Sequence, residues 1–185
     1  MEAYLDNAAT TRCSRPVCEL VMKIMGEDYG NPSSMHQKGV EAERYMREAA
    51  SRIAATLKVS EKEIFFTSGG TESNNWALIG TAMANQRRGK PLIITQVEHP
   101  AVSAPAAWLK DQGFEVTALS VDREGRISLE DLKKVVRPDT ILISTMYVNN
   151  EIGAVEPGEE IGRWLKKEHP DVIYHVDAIQ AYGKY

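Results

Sequence analysis

The sequence predicts an α/β fold: N-terminal helices, then part of a mainly parallel sheet with helices on both faces. Three observations carry that reading. Apolar residues up to about Leu57 recur at helical spacing. From Ser60 onward short apolar runs alternate with helical patterns. Strands that alternate with helices pair in parallel, because each crossover helix must lie against a sheet face. The expected organisation is a helical segment over 1–57 and a sheet-building segment over 58–185, incomplete at its C-terminus.

The elements follow in order. Val17, Leu20, Val21 and Ile24 form one apolar stripe, and Pro16 suits a first helical turn. Gly30 to Ser34, read GNPSS, breaks that helix with turn-forming residues. A longer helix places Met46, Ala49, Ala50, Ile53 and Leu57 on one face. Strands are expected at Ile64–Thr67, Leu92–Val97, Phe114–Val121, Ile141–Val148 and Val172–Val176. Helices are expected at Pro100–Gln112, through Leu129, Leu132 and Val136, and at Pro157–Lys167. Ser128 and Asp131 read as a capping box for the second of these.

Composition narrows the function classes. The 185 residues carry 43% hydrophobic and 26% charged side chains, an ordinary globular balance. The 22 Lys+Arg and 26 Asp+Glu give a net charge of −4, mixed along the chain with no basic block. That argues against a nucleic-acid or membrane-surface partner. No apolar run approaches a membrane span, and the start MEAYLDNAATTRCS lacks the basic-then-apolar pattern of a signal peptide. Two cysteines, Cys13 and Cys18, fit neither a disulfide framework nor a common zinc motif, so no metal is expected. The expectation is a reduced, cytoplasmic protein.

In open α/β sheets, ligands bind beyond the carboxyl ends of the strands. Here the apolar runs end in polar clusters: TSGGTESNN, EHP, NNEIG and DAIQ. Roughly 30 residues, one βα unit with its returning strand, separate Thr71 from His99 and Asn150 from Asp177. About twice that separates His99 from Asn150, which leaves room for the Phe114–Val121 strand. Four clusters could therefore converge on one sheet edge.

Each cluster has a chemical and a plainer reading. Gly69, Gly70 and Thr71 enter a helix whose N–H groups and hydroxyl would suit a phosphate, with Glu72 pointing away. The same residues also fit a simple turn with Thr71 as N-cap. His99 before Pro100 could stack on an aromatic ligand and move a proton, or be an exposed turn residue. Asp177 follows an apolar strand, where a carboxylate needs a cation or several donors. A protonated ring nitrogen would suit it, at an attraction on the order of 4 kcal/mol at about 4 Å. Capping the next helix is the alternative. Gln180 lies close enough to reach the same ligand, and Asn149 and Asn150 fit either a turn or a contact.

Together these clusters resemble the cysteine desulfurases, of the iron–sulfur-assembly type, in the class V aminotransferase branch of fold-type I pyridoxal-phosphate enzymes. The resemblance rests on YLDNAATT, GNPSSMHQKG, FTSGGTESNN, VEHPAV, MYVNNEIG and YHVDAIQAYGK, in the family's order. It implies a transferase whose cofactor is pyridoxal 5'-phosphate and whose substrate is L-cysteine, released as L-alanine. The sulfur passes as a persulfide to an acceptor or iron–sulfur scaffold protein. The full-length enzyme is implied to be a homodimer. Gly70 and Thr71 are implied to hold the phosphate, His99 to stack on the ring and assist proton transfer, and Asp177 to pair with the ring nitrogen. Asn150 and Gln180 are implied to contact the ring and its phenolic oxygen. Asn7, Asn31 and His36 fall in motifs near the substrate entrance or dimer contact.

The resemblance also implies a Schiff-base lysine and a sulfur-accepting cysteine beyond Tyr185. Lys184 reads as a surface charge, Cys18 as a packed thiol beside the Val17 stripe, and Cys13 as non-catalytic. On that basis residues 58–185 would be the first part of the cofactor-binding large domain, and the chain alone is expected to be inactive. The alternatives are another class V enzyme, such as a selenocysteine lyase or aminotransferase, and a non-catalytic α/β fragment that binds partners.

Overall fold

The computed structural model describes residues 2–184. The chain forms two compact units, Met1–Phe66 and Thr67–Tyr185.

The first unit is helical. Helix α1 spans Arg15–Gly26 with a proline in its first turn, and helix α2 spans Gln37–Leu57. Between them the backbone turns tightly at two glycines. A Cβ on Gly30 would sit 2.0 Å from the Lys38 carbonyl oxygen, and one on Gly39 2.1 Å from that of Ser34. Asp28 ties the turn down, accepting from Tyr45 Oη at 2.7 Å and Lys23 Nζ at 2.8 Å. A 3-10 turn at Glu61–Glu63 follows, closed by a reciprocal capping box between Ser60 and Glu63. Ile64–Thr67, expected as a strand, belongs to no strand of the sheet. Its Phe65 and Phe66 are exposed, so the apolar run lacks the burial that a sheet position would give it.

The second unit holds the sheet. Strands β1 (Pro91–Thr95), β2 (Glu115–Leu119), β3 (Leu142–Met146) and β4 (Ile173–Asp177) pair in parallel in the order β2-β1-β3-β4. The two central strands are buried at every residue, while the outer strands β2 and β4 are only partly covered. Continuous apolar strands of that kind belong to sheets covered on both faces.

Both faces are indeed covered. On one side lies a helix that runs as α3 (Gly70–Asn75), a π-helical stretch (Trp76–Gly80) and α4 (Thr81–Asn85). Helix α5 (Pro100–Asp111) lies beside it. Leu78, Ala82, Val102, Ala106 and Leu109 from these helices pack on Leu92, Ile94 and Leu142 of the sheet. The opposite face carries α6 (Leu129–Val135) and α7 (Gly158–Glu168), whose Leu132, Ile161 and Leu165 pack on Ile93 and Ile143. Residues 92 and 93, and again 142 and 143, point to opposite sides, as pleating requires. The connection from β1 leads outward to β2, and the chain then returns to β3 on β1's other side. The carboxyl ends of β1 and β3 therefore frame a topological switch point.

Candidate functional site

The site lies within the second unit, at the carboxyl ends of β1, β3 and β4. Asp177 is the last residue of β4 and is 8% exposed. Its Oδ2 accepts from Asn74 Nδ2 at 2.8 Å, and its Oδ1 from the Ile179 backbone N–H at 3.1 Å. The helix-capping alternative is thus half realised: Asp177 does hold a turn N–H, but its second oxygen is fixed by a buried side chain from α3. Among the described residues no cation forms an ion pair with it. A buried carboxylate held by two neutral donors has further acceptor capacity on its oxygens.

The glycine turn sits next to this strand end. A Cβ on Gly70 would meet the Ile179 side chain at 2.2 Å, so the glycine permits a close approach to the segment after Asp177. Gly69 is the N-cap and Gly70 the first residue of α3, so Thr71 is not the cap. The exposed Thr71 hydroxyl has no hydrogen-bond partner among the described residues. Glu72 does not point away from the turn. Its carboxylate folds back onto the Ser68 N–H and hydroxyl, both at 2.7 Å. Those bonds hold the carboxyl below its ordinary range and occupy the first donor of the turn.

His99 is the N-cap of α5, and its Nδ1 accepts from the Ala101 N–H at 3.1 Å. With Nδ1 accepting, Nε2 is the ring nitrogen left to donate. Thr71 and His99 line one cavity of about 500 Å³, with Asn75, Ile79, Ala104 and Trp108 in its wall.

The β1–β3 crevice is bridged by two side chains. Asn149 is buried, donates to the Val97 carbonyl oxygen at 3.1 Å, and accepts from the Glu151 and Ile152 N–H groups. It builds the turn. Asn150 is half-buried and makes no side-chain hydrogen bond among the described residues. Glu98 spans the same crevice: its Oε1 accepts from Thr95 Oγ1 and the Met146 N–H, each at 2.8 Å. Its Oε2 is buried without a partner among the described residues. Burial pushes this carboxyl up to about 7, with the nearby Asp177 charge adding to the effect. His175 on β4 meets the Ser144 hydroxyl at 2.8 Å, and burial lowers its basicity.

Gln180 is half-buried, and its Oε1 accepts from Lys184 Nζ at 3.0 Å. Lys184 is exposed, in accord with a surface charge. Asn7, Asn31 and His36 are exposed residues of the first unit. Asn31 closes a turn by accepting from Ser33 N–H at 2.9 Å, and His36 caps α2 through its Nδ1. Cys18 is exposed rather than packed, because α1 buries none of its residues. Cys13 is exposed too, and its hydrogen bond with Cys18 raises its thiol.

Sequence reasoning missed Asn74 and Glu98. The signal for Asn74 was present: it precedes Leu78 and Ala82 at four-residue intervals on one buried stripe, where an amide is out of place. Glu98 carried no such pattern.

The parallel sheet with helices on both faces matches the fold of NifS-like, fold-type I pyridoxal-phosphate enzymes. The chain belongs to the aminotransferase class-V family, whose match covers residues 3–185. It is 46% identical over 180 residues to the cysteine desulfurase IscS of Methanosarcina thermophila, covering 97% of this chain and 44% of that protein. It is 48% identical over 182 residues to the cysteine desulfurase IscS of Dictyoglomus turgidum, covering 98% of this chain and 46% of that one. Among solved structures, a NifS-like protein superposes with a TM-score of 0.93 at 43% identity, over 97% of this chain and 50% of that chain. DndA from Streptomyces lividans superposes with a TM-score of 0.87 at 42% identity, over 98% and 51%. The chain thus spans about half the length of the relatives it matches.

Proposed function

We propose that this chain forms part of a pyridoxal-5'-phosphate-dependent cysteine desulfurase, and that residues 67–185 supply its phosphate and ring contacts. The observation that carries the reading is Asp177, a buried carboxylate held by neutral donors and in no ion pair among the described residues. Such a group fits a protonated pyridine nitrogen. The glycine turn against Ile179 and the cavity shared by Thr71 and His99 fit the rest of the cofactor. When bound, the cofactor supplies an electron sink for bond cleavage at the amino acid.

The chain's own residues have distinct tasks in this reading. Gly70 and Thr71 bind phosphate through the helix N-terminus and the hydroxyl. Asp177 keeps the ring nitrogen protonated. His99 covers the ring and moves protons at Nε2, while the Ala101 N–H fixes its tautomer. Asn150 and Gln180 orient the ring. In the net reaction, sulfur passes from L-cysteine to an enzyme thiol, giving a persulfide, and L-alanine is released. Lys184, Cys13 and Cys18 take no covalent role: the lysine is a surface group bonded to Gln180, and the Cys13 thiol is made less acidic. Asn7, Asn31 and His36 contribute to substrate entry or to a homodimer contact, the sulfur leaves to an acceptor or iron–sulfur scaffold protein, and the setting is cytoplasmic. No described helix is long and apolar enough to cross a membrane.

An absorbance titration with pyridoxal 5'-phosphate tests the reading. The protein should show a saturable spectral change, and Asp177→Asn should weaken it at least tenfold. No spectral change at millimolar cofactor would leave a non-catalytic binding fragment as the better account.

A further inference from the structure

The bond between Asn74 and Asp177 joins α3 to the end of β4, across 103 positions of sequence. Asn74 is 3% exposed and lies one helical turn after Gly70. It shares its stripe with Leu78 and Ala82, both fully buried against the sheet. An apolar residue would fill that position without cost to packing, whereas a buried amide is expensive unless it is bonded. The bond it makes is to the one carboxylate whose charge the site needs. A lysine or arginine there would also satisfy Asp177, but would neutralise it and compete with a ring nitrogen. An amide orients the carboxylate and leaves its charge available. The Ile179 N–H alone would leave the carboxylate free to pivot about Oδ1.

We propose that Asn74 is a positioning residue: it locks the Asp177 carboxylate to α3 and so sets the span between the phosphate turn and the ring-nitrogen anchor. This rests on the cofactor reading above and goes beyond it by naming the group that fixes the aspartate. In this proposal Asn74 acts through its bond to Asp177.

The test compares two ligands on two proteins. The ligands are pyridoxal 5'-phosphate and its 1-deaza analogue, in which the ring nitrogen is replaced by C–H. The proteins are the full chain and its Asn74→Leu variant, which keeps the buried stripe apolar; Asn74→Ala serves if the leucine does not fold. In the unsubstituted protein the nitrogen-bearing ligand should bind more tightly. In the variant that preference should shrink by about fivefold or more, the size expected of coupled neighbours, while deaza-analogue binding stays unchanged. A purely structural role would weaken both ligands equally and leave the preference intact, which would overturn the proposal. If the unsubstituted protein shows no preference for the ring nitrogen, the cofactor reading itself fails, and the role of Asn74 with it.

Discussion

Glu98 shows how a single residue can shape both stability and site. Its carboxyl spans the crevice between β1 and β3, with one oxygen doubly bonded and the other buried without a partner. Burial raises it from 4.5 to about 7, so the folded chain holds its proton over a range where the unfolded chain releases it. Glu98's contribution to native stability is therefore greatest below pH 4.5 and falls as pH rises toward 7. Above that the cost is constant, on the order of 3 kcal/mol. Glu98→Gln mimics the protonated form and should be more stable than the parent at pH 8 by an amount of that order. Denaturant midpoints across pH 4.5 to 8 would show the advantage growing with pH and levelling off above 7. An advantage independent of pH would contradict the assignment.

At the scale of elements, the helix caps carry a direct prediction. Ser128 Oγ accepts from the Asp131 N–H at 3.3 Å, but Asp131 turns to Lys134 instead of returning to Ser128. Only half of the expected box forms at α6. Ser128→Ala should cost about 1 kcal/mol, read as a shift in the urea midpoint, and no shift would show that the cap is idle. The alternation of apolar runs with helical patterns made all four strands legible in the sequence, and most plainly β1 and β3, whose buried strands are apolar along most of their length. The same criterion placed a strand at Ile64–Thr67, which belongs to no strand of the described sheet. An apolar run does not state whether it is covered. The Ser60–Glu63 capping box was passed over because it closes only a short 3-10 turn. Thr71, His99, Asn150 and Asp177 were legible as strand-end polar clusters. Asn74 was not singled out, although an amide on the Leu78 and Ala82 stripe marked it; only its bond to Asp177, distant in sequence, shows what it does.

At the scale of the whole molecule, the second unit assembles its site from segments far apart in the chain. The turn at Gly70, the cap at His99, the turn at Asn149 and the end of β4 meet because β1 and β3 are central and diverge at the switch point. The framework is buried on both faces, so the carboxyl ends are where polar groups can gather. Asp177 is central to this arrangement, held by two neutral donors, one side chain and one backbone N–H; in the proposed function it takes a cationic partner. The most direct measurement is the nitrogen-15 NMR shift of ring-labelled pyridoxal 5'-phosphate bound to the protein, followed across neutral pH. The account predicts a ring nitrogen that stays protonated in the parent and loses its proton in Asp177→Asn. A bound ring nitrogen that is unprotonated at neutral pH in the parent would contradict it.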